Sequence, residues 1–224
     1  ELNDFLDDSD NLFAKVEREC KWMFETTHSG KVKGKINYTV WSECILCPSC
    51  NSELVLYKET VDYESGSVAE VFNCSNCNSE LEKADCEKVK ITYYDQLLNK
   101  TINKIKYVPV LINYSIGTKR YEKFPDNDDL QRIDKIESES LTSWAPSDPI
   151  VKGDKSSDPY RVGITNVHQF YSKANLIFLS KCFDYAGYYK SNDHLKFVLT
   201  SILPKLTNMN RYMPQHGSRA LVGP

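Results

Sequence analysis

Apolar positions along the chain change period several times, and each change marks an element. Leu2, Phe5, Leu6, Leu12, Phe13, Val16 and Cys20 recur at helical spacing, so residues 2–22 read as an amphipathic helix, frayed by the acids of Asp7–Asp10. From Lys35 to Trp41 (KINYTVW) the pattern alternates with period two and is rich in β-formers, which predicts a strand. Two further alternating stretches, Leu54–Val61 and Val68–Phe72, flank Asp62–Ser67; with Gly66 in the turn they predict a hairpin. Lys88–Tyr94 predicts another strand. Lys106–Tyr114 and Lys119–Phe124, separated by a turn around Gly117, predict a second hairpin, and Pro109 places its first strand at an edge or a bulge. A Pro-Asp-Asn capping signal opens a helix over Asp126–Ser138. Thr142–Thr165, with Pro146, Pro149 and Pro159, reads as a loop. Asn166–Tyr185 and Asp193–Leu203 return to helical spacing, and Pro204 disturbs the end of the second. Thr207–Pro224 is polar, basic and short of core residues, so on its own it would be disordered.

These elements give an α+β chain: a small antiparallel β region flanked by helices. The expected organisation is a helical segment at 1–33 and a cysteine-rich ribbon with its flanking strands at 34–94. A basic hairpin and helix follow at 95–140, a loop or linker at 141–165, and helices with a basic tail at 166–224.

One octapeptide changes the picture. Cys-x-x-Cys-Asn-Ser-Glu-Leu occurs at Cys47–Leu54 and again at Cys74–Leu81. Each Cys-x-x-Cys turn offers two sulfurs to one ion, and two such hooks complete a tetrahedral four-thiolate zinc site. Asn51 and Asn78 follow the second cysteine of each hook, where the backbone needs positive φ; Asn tolerates this next best after Gly. Hook, hairpin, hook is the order of a zinc ribbon, so Cys47, Cys50, Cys74 and Cys77 are the expected ligands. A thioredoxin-like redox pair explains neither the second copy nor the lack of a βαβ context. Cys44 and Cys86 are expected to be packing thiols, because the ligand set is complete without them; Cys182, among apolar neighbours, is expected in a core. Four thiolates leave no open coordination position, which makes the zinc structural.

Composition adds limits. Net charge is −3 over 224 residues with 41% hydrophobic residues and 14 tyrosines. No apolar run approaches the roughly 20 residues that span a bilayer. The opening is acidic rather than a basic-then-apolar leader, and the cysteines are expected reduced, so a cytoplasmic protein is expected. In that compartment the glycosylation triplets at Asn37 and Asn113 are not used. The missing initial Met and the abrupt end at Ala220–Pro224 lead us to expect a piece of something longer. Charge is unevenly spread: residues 88–123 hold eight bases and two acids, 126–139 six acids and two bases, and after Asp193 only bases remain (Lys196, Lys205, Arg211, Arg219). The plain reading of such runs is solvated faces. Gly-rich phosphate loops and a Gly-x-Ser-x-Gly elbow are absent. His28, His168, His194 and His216 are scattered and read as surface or capping residues.

Several landmarks occur in fixed order: Gly34-Lys-Ile-Asn-Tyr-Thr-Val-Trp-Ser-Glu43 before the first hook, then Val108-Pro-Val-Leu-Ile-Asn-Tyr-Ser-Ile-Gly117 with Lys119-Arg-Tyr-Glu-Lys123. Gly163-Ile-Thr-Asn-Val-His-Gln-Phe-Tyr171, Thr200-Ser-Ile-Leu203 and Met209-Asn-Arg-Tyr-Met-Pro214 follow. With these, the chain from about residue 10 onward resembles the middle portion of bacterial DNA methyltransferases that modify an exocyclic amino group, making N6-methyladenine or N4-methylcytosine. The resemblance implies S-adenosylmethionine as donor, double-stranded DNA as substrate, and a partner subunit or restriction enzyme as a possible associate. It also implies that this segment does target recognition. The Phe-x-Gly-x-Gly donor loop and the Asp/Asn-Pro-Pro-Phe/Tyr motif, which acts on a flipped base, are not in this chain. Asp148-Pro-Ile and Asp158-Pro-Tyr160 lack the second Pro, so no catalytic residue is expected here and the segment alone is expected to be inactive. At Lys173-Ala-Asn175 the resemblance leads to a second base where Ala174 stands.

Under this reading Lys106, Lys119, Arg120, Tyr121 and Lys123 are candidate DNA contacts, with Arg211 and Tyr212 in the tail. The competing reading is a zinc-stapled protein-interaction module without a catalytic role, its acidic faces Asp4–Asp10 and Asp126–Glu139 meeting a partner. A third is a free-standing redox enzyme.

Overall fold

The computed structural model describes residues 2–154, 157–214 and 221–222, the last two by backbone alone. Helix α1 (Leu2–Cys20) buries Leu12, Val16 and Cys20, one per turn on a single stripe. That stripe packs on α3 (Asn127–Ser138), α5 (Lys173–Ala186) and α6 (Asn192–Ile202) through Ile136, Ile177, Cys182, Ala186, Leu195 and Leu199. Cys182 is thus a core residue, and burial pushes its thiol up to about 12. Asp126 caps α3 by accepting from the Asp129 amide, and Ser172 caps α5 by accepting from that of Asn175. The Ser172 cap separates α5 from a 3-10 turn at Val167–Phe170, so the helix expected from Asn166 begins seven residues later. Between α3 and α5 the chain is largely irregular apart from α4 (Ser157–Arg161).

The second layer is a six-stranded antiparallel sheet. Its spine is β1 (Glu25–Thr27), β2 (Lys33–Leu46), β9 (Tyr107–Ile116) and β10 (Lys119–Lys123), paired in that order. Gly34 in β2 lies under the ring of Tyr114, where a Cβ would have no room. Pro109 faces Trp41 at a register shift and beyond the reach of β10, so its missing N–H breaks no ladder bond there. The β9–β10 hairpin has the expected ends, with Gly117 at φ 57°.

β2, 14 residues long, runs past the end of β9 and continues into the first hook. There β2 pairs with β3 (Glu53–Val55), Ile45 opposite Leu54, and with β6 (Glu87–Lys88). The second hook is flanked by β4 (Val71–Asn73) and β5 (Glu80–Glu82), Phe72 opposite Leu81. Each hook is therefore the loop of its own short hairpin. This corrects the expected pairing of Leu54–Val61 with Val68–Phe72, of which only the Val61–Val68 bridge survives. Leu56–Thr60 instead forms one helical turn, α2, because the Tyr57 amide turns back to donate to Ser42 Oγ at 2.9 Å. That tertiary bond overrides a good β pattern.

A hairpin of β7 (Lys90–Asp95) and β8 (Lys100–Ile105) projects beside the ribbon, its turn holding Asn99 at φ 50°. The expected boundary at 94/95 cuts through it. Asp95 is buried at the hairpin's end and accepts from His168 Nε2 at 2.8 Å, Gln169 at 3.0 Å and the Leu97 and Leu98 amides. His168 is itself buried, so the expectation of a surface or capping histidine does not hold there. The tail is partly placed: β11 (Arg211–Tyr212) pairs with β12 (Leu221–Val222), and Tyr212 rests between Tyr38 and Tyr57. His216 and Arg219 lie outside the described residues.

Candidate metal centre and the basic surface beside it

Both copies of the octapeptide fold alike. In the first, the Cys47 amide donates to Ser52 O and the Asn51 amide to Cys47 O; in the second, Cys74 donates to Ser79 O and Asn78 to Cys74 O. Asn51 and Asn78 have φ of 58° and 61°, the left-handed conformation the hook requires. The final leucines, Leu54 and Leu81, are buried together under the loops with Ile45 and Phe72. The cysteines, the asparagines and the leucines of the repeat thus each have a structural duty.

The two hooks face each other with near two-fold symmetry. Cys47 Sγ lies 3.7 Å from Cys77 Sγ, and Cys50 Sγ 3.8 Å from Cys74 Sγ. All four sulfurs fall within 4.8 Å of one another, and none is disulfide-bonded. Tetrahedral thiolates at about 2.3 Å from an ion stand about 3.8 Å apart, so the set fits a metal ion such as zinc. Beneath the loops the apolar packing is small, four aliphatic and aromatic side chains besides the buried sulfurs of Cys47 and Cys74.

Polar neighbours favour thiolate. Ser52 Oγ lies 2.6 Å from Cys50 Sγ and Ser79 Oγ 3.2 Å from Cys77 Sγ, and Asn76 Nδ2 donates to Cys50 Sγ at 3.5 Å. The Ser52 hydroxyl, with Asn76, brings Cys50 down to about 5; the Ser79 hydroxyl lowers Cys77. Cys74 moves the other way, to about 11: backbone amides at Cys77 and Asn76 favour its thiolate, but desolvation and the adjoining sulfurs outweigh them. Cys44 and Cys86 stand outside the ligand set; burial raises both, Cys44 to about 11, as packing thiols. The serines were legible only as repeat positions, since a hydroxyl two residues after a cysteine has no distinctive spacing of its own.

Ion pairs brace the ribbon against the sheet. Glu43, buried in β2, is held by Lys83 and by Lys88 at 2.6 Å. Burial alone would raise its carboxyl, but the two lysines bring it below the usual range. Lys106, one of the candidate contacts, instead pairs with Glu53 at 2.6 Å.

The structure divides the remaining candidates. Lys123 is committed internally: it bonds Asp126 at 2.6 Å, Asp129 at 2.8 Å and Thr27 O at 2.9 Å, and Asp129 is buried. Tyr121 is half-buried against Tyr114 and His28, and Tyr212 is half-buried in the tyrosine group on β2. Lys119, Arg120 and Arg211 are exposed. Among the described residues no carboxylate lies within ion-pairing distance of Lys119 or Arg120. The same holds for Lys31, Lys33 and Lys35, which sequence reasoning passed over because no long-range pairing was visible. Register aligns Lys35, Ser115 and Arg120 across β2, β9 and β10, so these unpaired bases share one end of the sheet. Ala174 packs against the helical core, and Lys173 donates to Gln96.

Compared with protein-family models, with curated proteins and with solved structures, the chain matches none. Among the described residues no helix is long and apolar enough to cross a membrane.

Proposed function

We propose that this chain is the duplex-recognising segment of an S-adenosylmethionine-dependent DNA methyltransferase acting on an exocyclic amino group, with zinc as the structural ion of the ribbon. The resemblance in the sequence motivates the enzyme class. One observation supports the recognition role: Lys31, Lys33, Lys35, Lys119 and Arg120 lack carboxylate partners among the described residues and gather at one end of the sheet, whereas Lys88, Lys106 and Lys123 are neutralised. A polyanion is the natural complement of such a surface. Zinc fits the four-sulfur set and would be held by Cys47, Cys50, Cys74 and Cys77. Its closed shell supplies folding energy rather than chemistry, on the order of 10 kcal/mol, to a ribbon whose own core is too small.

The acidic-partner reading has less to work with. Asp4 pairs with Lys190, Asp8 accepts from the Ser191 amide, and Asp126 and Asp129 sit within the Lys123 network. The test is fluorescence anisotropy of a labelled mixed-sequence duplex with the zinc-loaded chain between 50 and 200 mM salt. With four or five phosphate contacts, log K falls against log salt with a slope of about −4. No binding, or binding indifferent to salt, would overturn the recognition role. Methyl transfer by this chain alone would overturn the placement of the donor site elsewhere.

A further inference from the structure

His28 closes the β1–β2 hairpin at the basic end of the sheet, where its amide donates to Val32 O at 2.7 Å. Its ring is held by two tyrosines. Tyr121 of β10 lies against it with the centroids 4.8 Å apart, and Tyr114 of β9 stands at 5.8 Å. His28 Nδ1 is 2.6 Å from the Tyr114 hydroxyl. Tyr114 is buried, and among the described residues its hydroxyl has no other hydrogen-bond partner. A buried hydroxyl proton needs an acceptor. In the neutral ring Nδ1 supplies one when the proton sits on Nε2; a proton on Nδ1 would orphan the phenol hydrogen instead. The bond therefore selects the tautomer that carries an Nε2–H. Half-buried His28 leaves that Nε2 open to solvent, without a partner among the described residues. Satisfying Tyr114 takes one nitrogen, and the other remains as a donor fixed in direction.

The surroundings of that donor are cationic. Residues 119 and 121 of β10 point to one face, so Lys119 shares the face on which Tyr121 meets His28. Lys31 stands in the hairpin turn itself, and Lys33 is tied to Thr27 Oγ1 at 2.9 Å. Lys123, whose ammonium reaches Thr27 O at 2.9 Å, is by contrast neutralised by Asp126 and Asp129. We infer that His28 holds a phosphate oxygen of duplex DNA through its Nε2–H, as a neutral donor beside Lys119. This rests on the duplex-recognition reading above and deepens it. A neutral donor contributes differently from a lysine. A lysine contact releases a counterion, so its loss flattens the salt dependence; an imidazole N–H adds a directed hydrogen bond to a charged acceptor and leaves the salt dependence as it was. Tyr114 is a positioning residue, acting through the tautomer and orientation of His28.

The experiment joins two measurements on the zinc-loaded chain at about pH 8, above the range in which histidines ordinarily ionise. The first is anisotropy of the labelled mixed-sequence duplex across the same salt range. His28→Ala weakens binding about fivefold to tenfold at every salt concentration and leaves the slope of log K against log salt unchanged. Lys119→Ala lowers that slope by about 1. The second is nitrogen–proton NMR of the imidazole rings, which needs no variant and so decides the matter even where a substitution disturbs the sheet. His28 shows the Nε2–H form, and its Nε2 resonance moves when duplex is added; inorganic phosphate at the same phosphate concentration moves it far less. Tyr114→Phe mixes the two tautomers and loses part of the affinity, with circular dichroism and zinc content verifying the fold. A resonance that duplex leaves in place, an equal shift with inorganic phosphate, or a His28→Ala chain that binds as tightly as the unaltered one overturns the inference while duplex recognition stands. A His28→Ala chain whose slope also falls by about 1 marks the ring as a cation and overturns the neutral donor. If the unaltered chain binds no duplex, recognition itself fails and the inference falls with it.

Discussion

A cysteine, a lysine or an asparagine in this chain is defined less by its type than by what stands within 4 Å of it. Cys47 and Cys44 are three residues apart, yet one faces three other sulfurs and the other faces packing. Cys47→Ser is expected to reduce bound zinc from about one ion per chain toward none, read by metal analysis. Cys44→Ala is expected to leave that stoichiometry intact and cost about 1 kcal/mol in denaturant unfolding. The lysines separate in the same way. Lys123→Ala leaves Asp129 buried with Arg132 as its remaining cation at 3.4 Å among the described residues, and with the Thr26 hydroxyl still donating to it at 2.6 Å. We expect a loss of about 2 kcal/mol, the low side for a broken buried pair because Arg132 remains. Lys119→Ala should instead leave stability within about 0.5 kcal/mol and lower the salt slope by about 1. The four ligands could be seen in the sequence because their spacing is local and repeated. Which lysines were free could not, because Glu53 and Asp129 reach Lys106 and Lys123 only after folding.

Elements show the same division between local and distant causes. Helix α3 was legible from Asp126, since its cap and its stripe lie within one segment. The β7–β8 hairpin was only half legible: the two apolar residues of Lys100–Ile105, Ile102 and Ile105, are three apart and so do not alternate, and its turn uses Asn99 without a Gly. Its anchoring to the helical half through Asp95 and His168 joins residues 73 apart in sequence. That anchor has a pH signature. Burial alone would raise the Asp95 carboxyl, but hydrogen bonds from His168, Gln169 and the Leu98 amide bring it below the ordinary 3.8. A carboxyl lowered on folding stabilises the protein above its unfolded value and loses that contribution as pH falls through the folded one. Asp95→Asn should therefore cost about 1–3 kcal/mol at neutral pH, and the gap from the unaltered chain should narrow below about pH 4 in thermal denaturation.

For the whole molecule, three packing centres imply unequal stability. The helical cluster is built from ten buried side chains, whereas the ribbon has four apolar ones and its sulfurs. Chelation of the ion should raise amide exchange in residues 47–82 by orders of magnitude, while α1, α5 and α6 keep their protection. Uniform exchange across all three would show that the ribbon does not depend on metal. The α+β class could be read from the change of hydrophobic period. That the strand from Lys35 leads into the first hook could be read as well, but its unbroken run to Leu46 could not, because the alternation that predicted it stops at Trp41.

That continuity has a mechanical consequence. No unpaired loop separates the prong from the body along β2: the backbone that pairs with β9 at Val40 also carries Cys47 into the four-sulfur cluster six residues after Trp41. Side chains on a strand alternate sides, so a single inserted residue between Ser42 and Leu46 would swing Cys47 and Cys50 through half a turn, out of reach of Cys74 and Cys77. Inserting two would restore the facing but push the tip outward by about 7 Å. The length of this one strand is the ruler that sets how far the ribbon stands from the basic end of the sheet.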